Sequence, residues 1–444
     1  MALSFKGGMH IHDHKKPMNK YEVRPIMPCD EHMFPIAQHI GAPLKVLVKE
    51  GDAVKVGDKI ADAEEYMAVP VHSSVSGTVK KIEKHIHPNG SMVETVFVEN
   101  DKLYTLSDKI KPVTDIESLS KRELLWVIRD AGIVGMGGAG FPAHVKLDPK
   151  DKIKYLIING AECEPYITAD HRRMIENTEE VVDGIRIMMK VLDVKEAYIG
   201  IETNKRKCIE VLKKHTRYDD SIKIIPLKPK YPQGAEKMLI KAITGKSVPS
   251  GGLPSDVGCV VMNIETAYAI NRAFREGMPL VKRIVTVSGD AVNEPSNLLV
   301  PLGVPFSFLF EAAGGFKKDA KKVIMGGPMM GMAQFDMSAP VIKTTSSLIA
   351  FSEPDKIYDP DAPCIRCGKC VEHCPMGLMP NKLSTLSKNK DTEGAVKYNI
   401  LDCMQCGMCS YICPAKKNLL ANIRTMRPDA MRYLKEKKEA EKNG

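Results

Sequence analysis

The chain has 444 residues, 43% of them hydrophobic and 27% charged, and its net charge of +9 is mild for this length. This composition is typical of a folded globular protein with three or four domains. The start of the chain lacks the apolar segment of a secretory signal, and the longest apolar stretch is broken by Pro301 and Pro305. We therefore expect a chain that does not itself span a membrane and that has no nucleic-acid-binding module. The basic excess fits an acidic partner, an anionic membrane surface or an ordinary lysine-rich surface.

The N-terminal part of the sequence predicts an arm followed by a small β domain. Residues 1–30 form the arm, and residues 31–110 have the pattern of short strands separated by Gly-Asp turns at Gly51 and Gly57. The stretches "PLKVLVKEGDAVKVGDKIADAE" and "VPVHSSVSGTVKKIEK" resemble the barrel-sandwich hybrid fold of biotinyl and lipoyl carrier domains. Those carriers have a lysine at a hairpin tip, where this chain has "EEYMAVPV". We therefore predict this fold without a carrier lysine or a carrier function.

Residues 111–282 predict an α/β domain, because helical and strand patterns alternate along them. A helix is expected over 114–131, with Ser120 and Glu123 forming a capping box. The glycine-rich stretch "GMGGAG" at 135–140 comes next, and a buried strand "KYLIING" follows it.

The glycine-rich stretch fits the spacing G-x-G-x-x-G, which is a weak signal by itself. A dinucleotide fingerprint should follow a strand and open a helix, whereas this loop follows a helix. The ordinary Rossmann interpretation is therefore disfavoured. A loop of bare amides still suits a phosphate group, and Lys146 lies just beyond it. A flexible turn is the structural alternative.

The C-terminal part predicts two further domains and a tail. Residues 283–350 have short strands around one apolar helix, as in a small soluble-ligand-binding β-grasp domain, and residues 351–425 contain two cysteine repeats. Residues 426–444 form a charged tail. The predicted fold is thus multidomain, mixing α/β and α+β units.

Each cysteine repeat has the form C-x-x-C-x-x-C-x-x-x-C-P, which is the spacing of ferredoxins with two [4Fe–4S] clusters. In that arrangement the fourth cysteine of each repeat binds the other cluster. Zinc is the alternative, but it uses paired C-x-x-C spacings rather than runs of four. The predicted ligands are Cys364, Cys367, Cys370 and Cys413 for cluster 1, and Cys403, Cys406, Cys409 and Cys374 for cluster 2.

Iron–sulfur clusters carry one electron at a time and do not accept hydride. A chain that exchanges electrons with NADH therefore needs a converter from two-electron to one-electron transfer, and flavin is the usual one. The remaining cysteines, Cys29, Cys163, Cys208 and Cys259, are interpreted as buried or incidental thiols.

Four segments in the order "GMGGAGFPAHVK", "NGAECEP", "YPQGAEKML" and "MNIETAYAI" resemble the FMN and NADH site of the flavin subunit of respiratory complex I. With the barrel-sandwich start and the doubled cysteine repeat, nearly the whole chain resembles the C-subunit family of Rnf electron-transport complexes, which are ion-translocating ferredoxin:NAD oxidoreductases. The cofactors implied are FMN, NAD(H) and two [4Fe–4S] clusters.

The resemblance also implies which residues bind these cofactors. The implied FMN residues are Gly135, Gly137, Gly138, Gly140, Lys146, Asn159, Glu162, Tyr231, Gly234, Asn263 and Thr266. The implied NADH residues are Phe141, Glu164 and Glu236. Complex I has acidic residues at the positions of Ala161 and Ala235, so two nucleotide or flavin contacts are missing here.

The function that follows from the resemblance is electron transfer at the NAD(H)-facing end of a membrane complex. Hydride would pass between NAD(H) and FMN, single electrons would pass through the clusters, and membrane-embedded and ferredoxin-like partner subunits would couple this to ion translocation. The chain would be a peripheral subunit on the cytoplasmic face of the cell membrane. Two alternatives are a flavin and iron–sulfur corrin (cobalamin) reductase and a non-catalytic iron–sulfur electron relay.

Overall fold

A computed structural model describes residues 2–353 and 363–443. The described residues form four sheets and a helical C-terminal region. The first eight strands are Arg24–Pro25 (β1), Glu31–Pro35 (β2), Lys45–Val46 (β3), Ala53–Val54 (β4), Lys59–Asp62 (β5), Val71–His72 (β6), Gly77–Ile86 (β7) and Met92–Asn100 (β8).

Two small sheets form the N-terminal β domain. Their strand orders are β2-β8-β7-β4 and β3-β5-β6, and every pairing is antiparallel. Alternate residues of the long hairpin, such as Val79, Val96 and Val98, point inward and are buried. This core continues into residues 285–350 as one hydrophobic cluster, so the two predicted domains share an interior.

The α/β domain contains one parallel sheet with helices around it. Its elements are Lys121–Asp130 (α1), Ala143–Lys146 (α2), Tyr155–Asn159 (β9), Ala169–Glu176 (α3), Thr178–Leu192 (α4), Ala197–Glu202 (β10), Arg206–His215 (α5), Ile222–Leu227 (β11), Glu236–Thr244 (α6), Cys259–Asn263 (β12) and Ile264–Arg275 (α7).

The sheet order is β11-β10-β9-β12, and all neighbours are parallel. The chain therefore builds outward from β9 in one direction and then returns to add β12 on the other side. The predicted capping box is present: the Glu123 amide donates to the Ser120 hydroxyl, and the Ser120 amide donates to the Glu123 carboxylate. The helix begins at Lys121 rather than 114, because its first turn is set by this cap.

A six-stranded mixed sheet follows. Its elements are Lys282–Ser288 (β13), Ser296–Pro301 (β14), Phe306–Ala312 (α8), Lys322–Met325 (β15), Met332–Gln334 (β16) and Ser347–Phe351 (β17). The order is β1-β14-β13-β17-β15-β16, so the N-terminal arm supplies one edge strand.

The C-terminal region is helical around the cysteine repeats. Its helices are Lys369–Glu372 (α9), Pro380–Lys388 (α10), Thr392–Lys397 (α11), Met408–Tyr411 (α12) and Leu419–Asn443 (α13). Helices α10 and α13 pack through Leu383, Ile423 and Met426. The predicted boundary between the cysteine region and the charged tail, at residues 425 and 426, lies inside helix α13, which continues through it without interruption. Across 2–353 and 363–443, no helix has the length and apolarity needed to cross a membrane.

The N-terminal arm is packed along the molecule and links two domains. The Leu3 amide donates to the Pro226 carbonyl, and the Met9 amide donates to the Tyr231 carbonyl. Between them, the Gly8 amide donates to the His373 carbonyl of the cysteine region. The arm therefore holds the α/β domain and the cysteine region together.

Candidate functional site

The candidate site lies where β9 and β12 end side by side. Asn159 and Asn263 are the last residues of these strands and are partners in the parallel register. The strand order reverses between them, because β9 is followed by β10 on one side and by β12 on the other. In open α/β sheets, ligands bind at the carboxyl ends of the strands at such a reversal.

The glycine-rich loop lies over this edge of the sheet. The Met136 amide donates to the Thr266 hydroxyl at 3.1 Å, and Gly135 pairs with Phe141 across the base of the loop. A Cβ at Gly137 would lie 2.7 Å from the side-chain amide nitrogen of Asn263. A Cβ at Gly138 would have no protein atom within 4 Å. The loop is thus packed on one side and open on the other, which suits a backbone cradle for a phosphate.

Asn263 connects the loop to a buried carboxylate that sequence analysis missed. Its amide nitrogen donates to Asp170 at 2.8 Å, while its amide oxygen accepts from the Glu265 amide and caps α7. Burial, reinforced by the nearby carboxylate of Glu162, raises the pKa of Asp170 to about 7. The sequence does carry a signal for Asp170, because this residue lies in the first turn of the helix that follows the loop after β9.

Asn159 fixes the opposite wall of the site. Its amide nitrogen donates to the Gly234 carbonyl at 2.8 Å, and its oxygen accepts from the Ala161 amide at 3.2 Å. Nearby, the predicted phosphate cation Lys146 and the predicted nucleotide carboxylate Glu236 form an ion pair with 2.5 Å between nitrogen and oxygen. Both side chains of this pair are partly exposed, so an entering anion could compete for Lys146.

Glu162 is placed differently from the other candidate FMN residues. Its carboxylate accepts from the Asp170 amide at 2.7 Å and the His171 amide at 3.3 Å at the N-terminus of α3. The Lys15 ammonium of the N-terminal arm lies 3.5 Å from the same carboxylate and donates to the Glu162 carbonyl. These contacts satisfy the side chain within the protein, and its assignment to FMN stays a prediction. Lys15 carried no sequence signal, since it is far away along the chain.

Tyr231 and Glu164 lie where the α/β domain meets the cysteine region. The Tyr231 hydroxyl donates to the Cys406 carbonyl at 2.8 Å and lies 3.4 Å from a Glu164 oxygen. Glu164 also accepts from the amides of Met329 and Met330, which lie in the turn between β15 and β16. Burial raises the pKa of Glu164 to about 7. The aromatic candidate Phe141 stays at the surface, with 37% of it exposed.

The eight repeat cysteines line two separate hollows. One hollow, of about 400 Å³ including the space at its mouth, is lined by the first set: Cys364, Cys367, Cys370 and Cys413. The other, of about 370 Å³, is lined by the second set: Cys374, Cys403, Cys406 and Cys409. In both, the fourth cysteine comes from the other repeat, which is the exchange expected for two clusters. Four thiols around one hollow fit a [4Fe–4S] cluster.

The surroundings of the two sets differ. Cys364 and Cys367 are exposed, whereas Cys406 and Cys409 are each 8% exposed. Burial raises the pKa of Cys406 and of Cys409 to about 12. Ligands must be thiolates, so bound iron would have to supply the charge that stabilises them. The second hollow is otherwise apolar, with Leu378, Leu383, Leu420 and several methionines in its wall.

The remaining cysteines are free thiols in the described residues. The Gly234 amide donates to the Cys163 sulfur at 3.3 Å, and burial raises the pKa of Cys163 and of Cys208 to about 12. Over 2–353 and 363–443, no group of three or more His, Cys, Asp or Glu side chains is arranged to hold a single metal ion.

Family models match four successive parts of the chain. They are described as the RnfC barrel sandwich hybrid domain (residues 3–103), the Nuo51 FMN-binding domain (128–272), the SLBB domain (284–333) and the 4Fe-4S dicluster domain (363–417). The fold predicted for each part, including the barrel sandwich at the N-terminus, is confirmed by these matches.

Similar proteins extend over almost the whole chain. One is the C subunit of the proton-translocating ferredoxin:NAD(+) oxidoreductase complex of Clostridium ljungdahlii, 44% identical over 97% of this chain and 94% of the relative. Another is the C subunit of the Na(+)-translocating ferredoxin:NAD(+) oxidoreductase complex of Acetobacterium woodii, 42% identical over 95% of this chain and 96% of the relative.

A solved structure shares the fold at lower identity. The structure of an NAD+-reducing [NiFe]-hydrogenase in the H2-reduced state superposes on 71% of this chain and 64% of that chain. The TM-score is 0.50 and the identity is 18%.

Proposed function

The chain belongs to the family of C subunits of ion-translocating ferredoxin:NAD(+) oxidoreductase complexes, and from this we propose that it is the NAD(H)-facing electron-transfer subunit of such a complex. It has an FMN-binding domain and a domain for two [4Fe–4S] clusters in one chain. Ion translocation is assigned to its membrane-embedded partner subunits. We place the chain as a peripheral subunit on the cytoplasmic face of the membrane.

One observation carries this proposal: the hydrogen bond from the Tyr231 hydroxyl to the Cys406 carbonyl. Tyr231 belongs to the segment that leads into Gly234 at the candidate flavin site, and Cys406 belongs to the second cysteine set. The two sites are thus joined by one buried side chain, with Tyr231 only 2% exposed. Electron transfer weakens steeply with distance, so this contact favours passage of electrons between the flavin site and the second set.

The residues at the edge of the sheet fit a flavin phosphate. The open side of Gly138 leaves backbone amides accessible, and a side chain on that face would fill the space that the ligand needs. Gly135, Gly137, Gly138 and Gly140 would hold the phosphate, and Lys146 would offset its charge on leaving its pair with Glu236. Bound flavin supplies the conversion between hydride and single-electron transfer. Asn159, Asn263 and Thr266 position the loop and the strand ends around it.

Phe141 and Glu236 are proposed to meet the nicotinamide dinucleotide, since both side chains are partly exposed to solvent. A carboxylate can accept from ribose hydroxyls, and an exposed aromatic ring can stack on a base. Glu164 is proposed to contribute from its position beside the Tyr231 hydroxyl.

The test is an anaerobic titration of the full chain, with clusters reconstituted and FMN added, by NADH. We expect NADH to bleach the flavin absorbance and the EPR signals of reduced clusters to follow. The matched variant Gly138→Ala should bind FMN at least about tenfold more weakly, while its unfolding free energy changes by less than about 0.5 kcal/mol, since its Cβ meets no protein atom.

Two outcomes would count against the proposal. If dithionite reduces the clusters but NADH does not in the presence of FMN, the isolated chain is an electron relay. Equal FMN affinity of the wild type and Gly138→Ala would place the phosphate elsewhere.

A further inference from the structure

The N-terminal β domain touches the glycine-rich loop through the segment between β2 and β3. The Ile40 amide donates to the Gly140 carbonyl at 3.1 Å. A Cβ at Gly140 would lie 3.4 Å from the Gln38 carbonyl oxygen and 3.5 Å from the His39 Cα. Residues 37–41, called the 37–41 loop, therefore pack directly on the last glycine of the loop that we assign to FMN.

The 37–41 loop is held firmly in place by its own side chains and backbone. The side-chain oxygen of Gln38 accepts from the Lys343 amide at 3.2 Å. A Cβ at Gly41 would lie 1.8 Å from the Met67 carbonyl oxygen, so the backbone approaches that carbonyl as closely as only glycine allows. A loop that is fixed in this way presents its exposed side chains in one arrangement, which lowers the entropic cost of binding a ligand.

The hairpin tip that holds the lysine of carrier domains is also bound beside the glycine-rich loop. Arg129 of α1, the helix before the glycine-rich loop, makes two hydrogen bonds of 3.0 Å and 2.7 Å to the Asp62 carboxylate, on the strand that leads into the tip. In α2, the helix after the loop, the His144 ring donates to the Tyr66 carbonyl at 2.8 Å. A carrier tip has to move, whereas this one is immobilised, so the β domain is built into the surroundings of the loop.

Two apolar side chains remain exposed at this contact. Ile40 is 50% exposed, and Phe141, which directly follows Gly140, is 37% exposed. Because the Ile40 amide bonds to the residue before Phe141, the two side chains leave neighbouring points of the backbone. A pair of apolar side chains on a fixed backbone, next to a loop suited to a phosphate, fits the planar base of a nucleotide.

We propose that the 37–41 loop is a wall of the dinucleotide site, in which Ile40 packs on the adenine of NAD(H) beside Phe141. This rests on the proposed function and adds a second domain to the same site. Hydride transfer requires the nicotinamide to lie against the flavin and to be shielded from water. Ile40 and Phe141 are open to solvent, so the base that they contact is the one that takes no part in the reaction.

The 37–41 loop adds contact area to a site that lacks other contacts. Ala161 and Ala235 stand where the flavin subunit of complex I has acidic residues, so two nucleotide or flavin contacts are missing here. Burial of the exposed part of Ile40 against a base stabilises the complex through apolar contact and offsets part of that loss.

The experiment measures the binding of NAD+ to the oxidised full chain, with clusters reconstituted and FMN bound, by isothermal titration calorimetry. Oxidised flavin has no hydride to give to NAD+, so binding is measured without turnover. The test variant is Ile40→Ser, and Ile40→Phe is the variant that keeps an apolar side chain. The control is Leu47→Ser, at a leucine that is 56% exposed and whose amide donates to the Ile60 carbonyl within the β domain. The FMN affinity of each variant is measured separately.

Ile40→Ser should bind NAD+ about fivefold more weakly than the wild type, because it loses the apolar contact with the base. ADP-ribose, which keeps the adenine and lacks the nicotinamide, should lose affinity by the same factor. Ile40→Phe should bind NAD+ at least as tightly as the wild type. The affinity for FMN should stay the same in all variants, and Leu47→Ser should bind NAD+ like the wild type.

Equal NAD+ affinity of Ile40→Ser and Leu47→Ser would overturn the proposal. A parallel loss of FMN affinity in Ile40→Ser would also overturn it, because Ile40 would then only support the glycine-rich loop. So would a loss for NAD+ without one for ADP-ribose, which would assign Ile40 to the nicotinamide. If the wild type does not bind NAD+, the NAD(H)-facing function fails as well, whereas equal binding by Ile40→Ser and the wild type overturns the role of Ile40 alone.

Discussion

The two cysteine repeats have the same spacing, but the two sets of ligands that they form differ in exposure. Cys364 and Cys367 of the first set are exposed, whereas Cys406 and Cys409 of the second are buried, and the arm, Tyr231 and the turn that follows β15 contact the residues around the second set. Ligand spacing decides which cluster can be bound, whereas burial and neighbouring groups decide its potential and its partners. Packing thus makes two equal motifs different: one set contacts Tyr231 of the α/β domain, and the other has two exposed ligands.

The largest effect is expected from two separate variants, each of which lacks one ligand of one set. Cys406→Ser should abolish NADH-driven reduction of the cluster in the first set, because the proposed route from the flavin passes through the second. Cys364→Ser should leave NADH-driven reduction of the second cluster intact. Rapid-freeze EPR after mixing with NADH distinguishes the two. Reduction of the first cluster in a Cys406→Ser variant that has lost the second would break the assigned order.

A second test uses oxygen. The cluster of the first set should be lost several-fold faster in air than that of the second, because two of its ligands are exposed while Cys406 and Cys409 are buried. Iron and sulfide content and the EPR signal of each cluster, followed over time, give the two rates. Loss of both clusters at one rate would show that burial of the second set gives no protection.

The third prediction concerns Glu164, which lies 3.4 Å from the hydroxyl of Tyr231. Its pKa is about 7 in the folded chain against an ordinary value of 4.5, so the folded state holds the proton more tightly. The unfolded state binds fewer protons in this window, and stability therefore falls as pH rises from about 4.5 to 7. Glu164→Gln should remove up to about 3 kcal/mol of this dependence.

Anaerobic denaturant unfolding from about pH 4.5 to 8 measures this slope. Glu210→Gln, at an exposed position of α5, is the matched control and should retain the slope of the wild type. Parallel slopes for the wild type and Glu164→Gln would show that this carboxyl does not titrate in the window.

The smallest expected effect is that of Tyr231→Phe. It removes the hydrogen bond to the Cys406 carbonyl and should cost about 1–2 kcal/mol of stability, because that carbonyl is buried. It should also shift the reduction potential of the second cluster and leave that of the first unchanged. EPR-monitored redox titration measures both, and Tyr411→Phe, at an exposed tyrosine, is the control. Equal shifts at both clusters would contradict a local effect.

Much of the molecule was predictable because its signals are local. The capping box at Ser120 and Glu123 depends on residues three apart, and the cysteine repeats depend on spacings of three and four. The N-terminal arm shows the limit. Lys15 bonds to Glu162, and β1 supplies an edge strand to a sheet formed mostly by residues 282–351. No local pattern encodes contacts of that separation.

By itself, the sequence determined the kinds of domain in the chain, the two sets of four cysteines and a glycine loop fit for a phosphate. These follow from short-range spacing and backbone chemistry. Only the tertiary structure decided that Asp170 joins the site through Asn263, that Glu162 serves α3 and Lys15, and that Tyr231 meets Cys406. The physical reason is that each of these contacts depends on how separate elements pack, and packing also decides which of two equivalent repeats is left exposed.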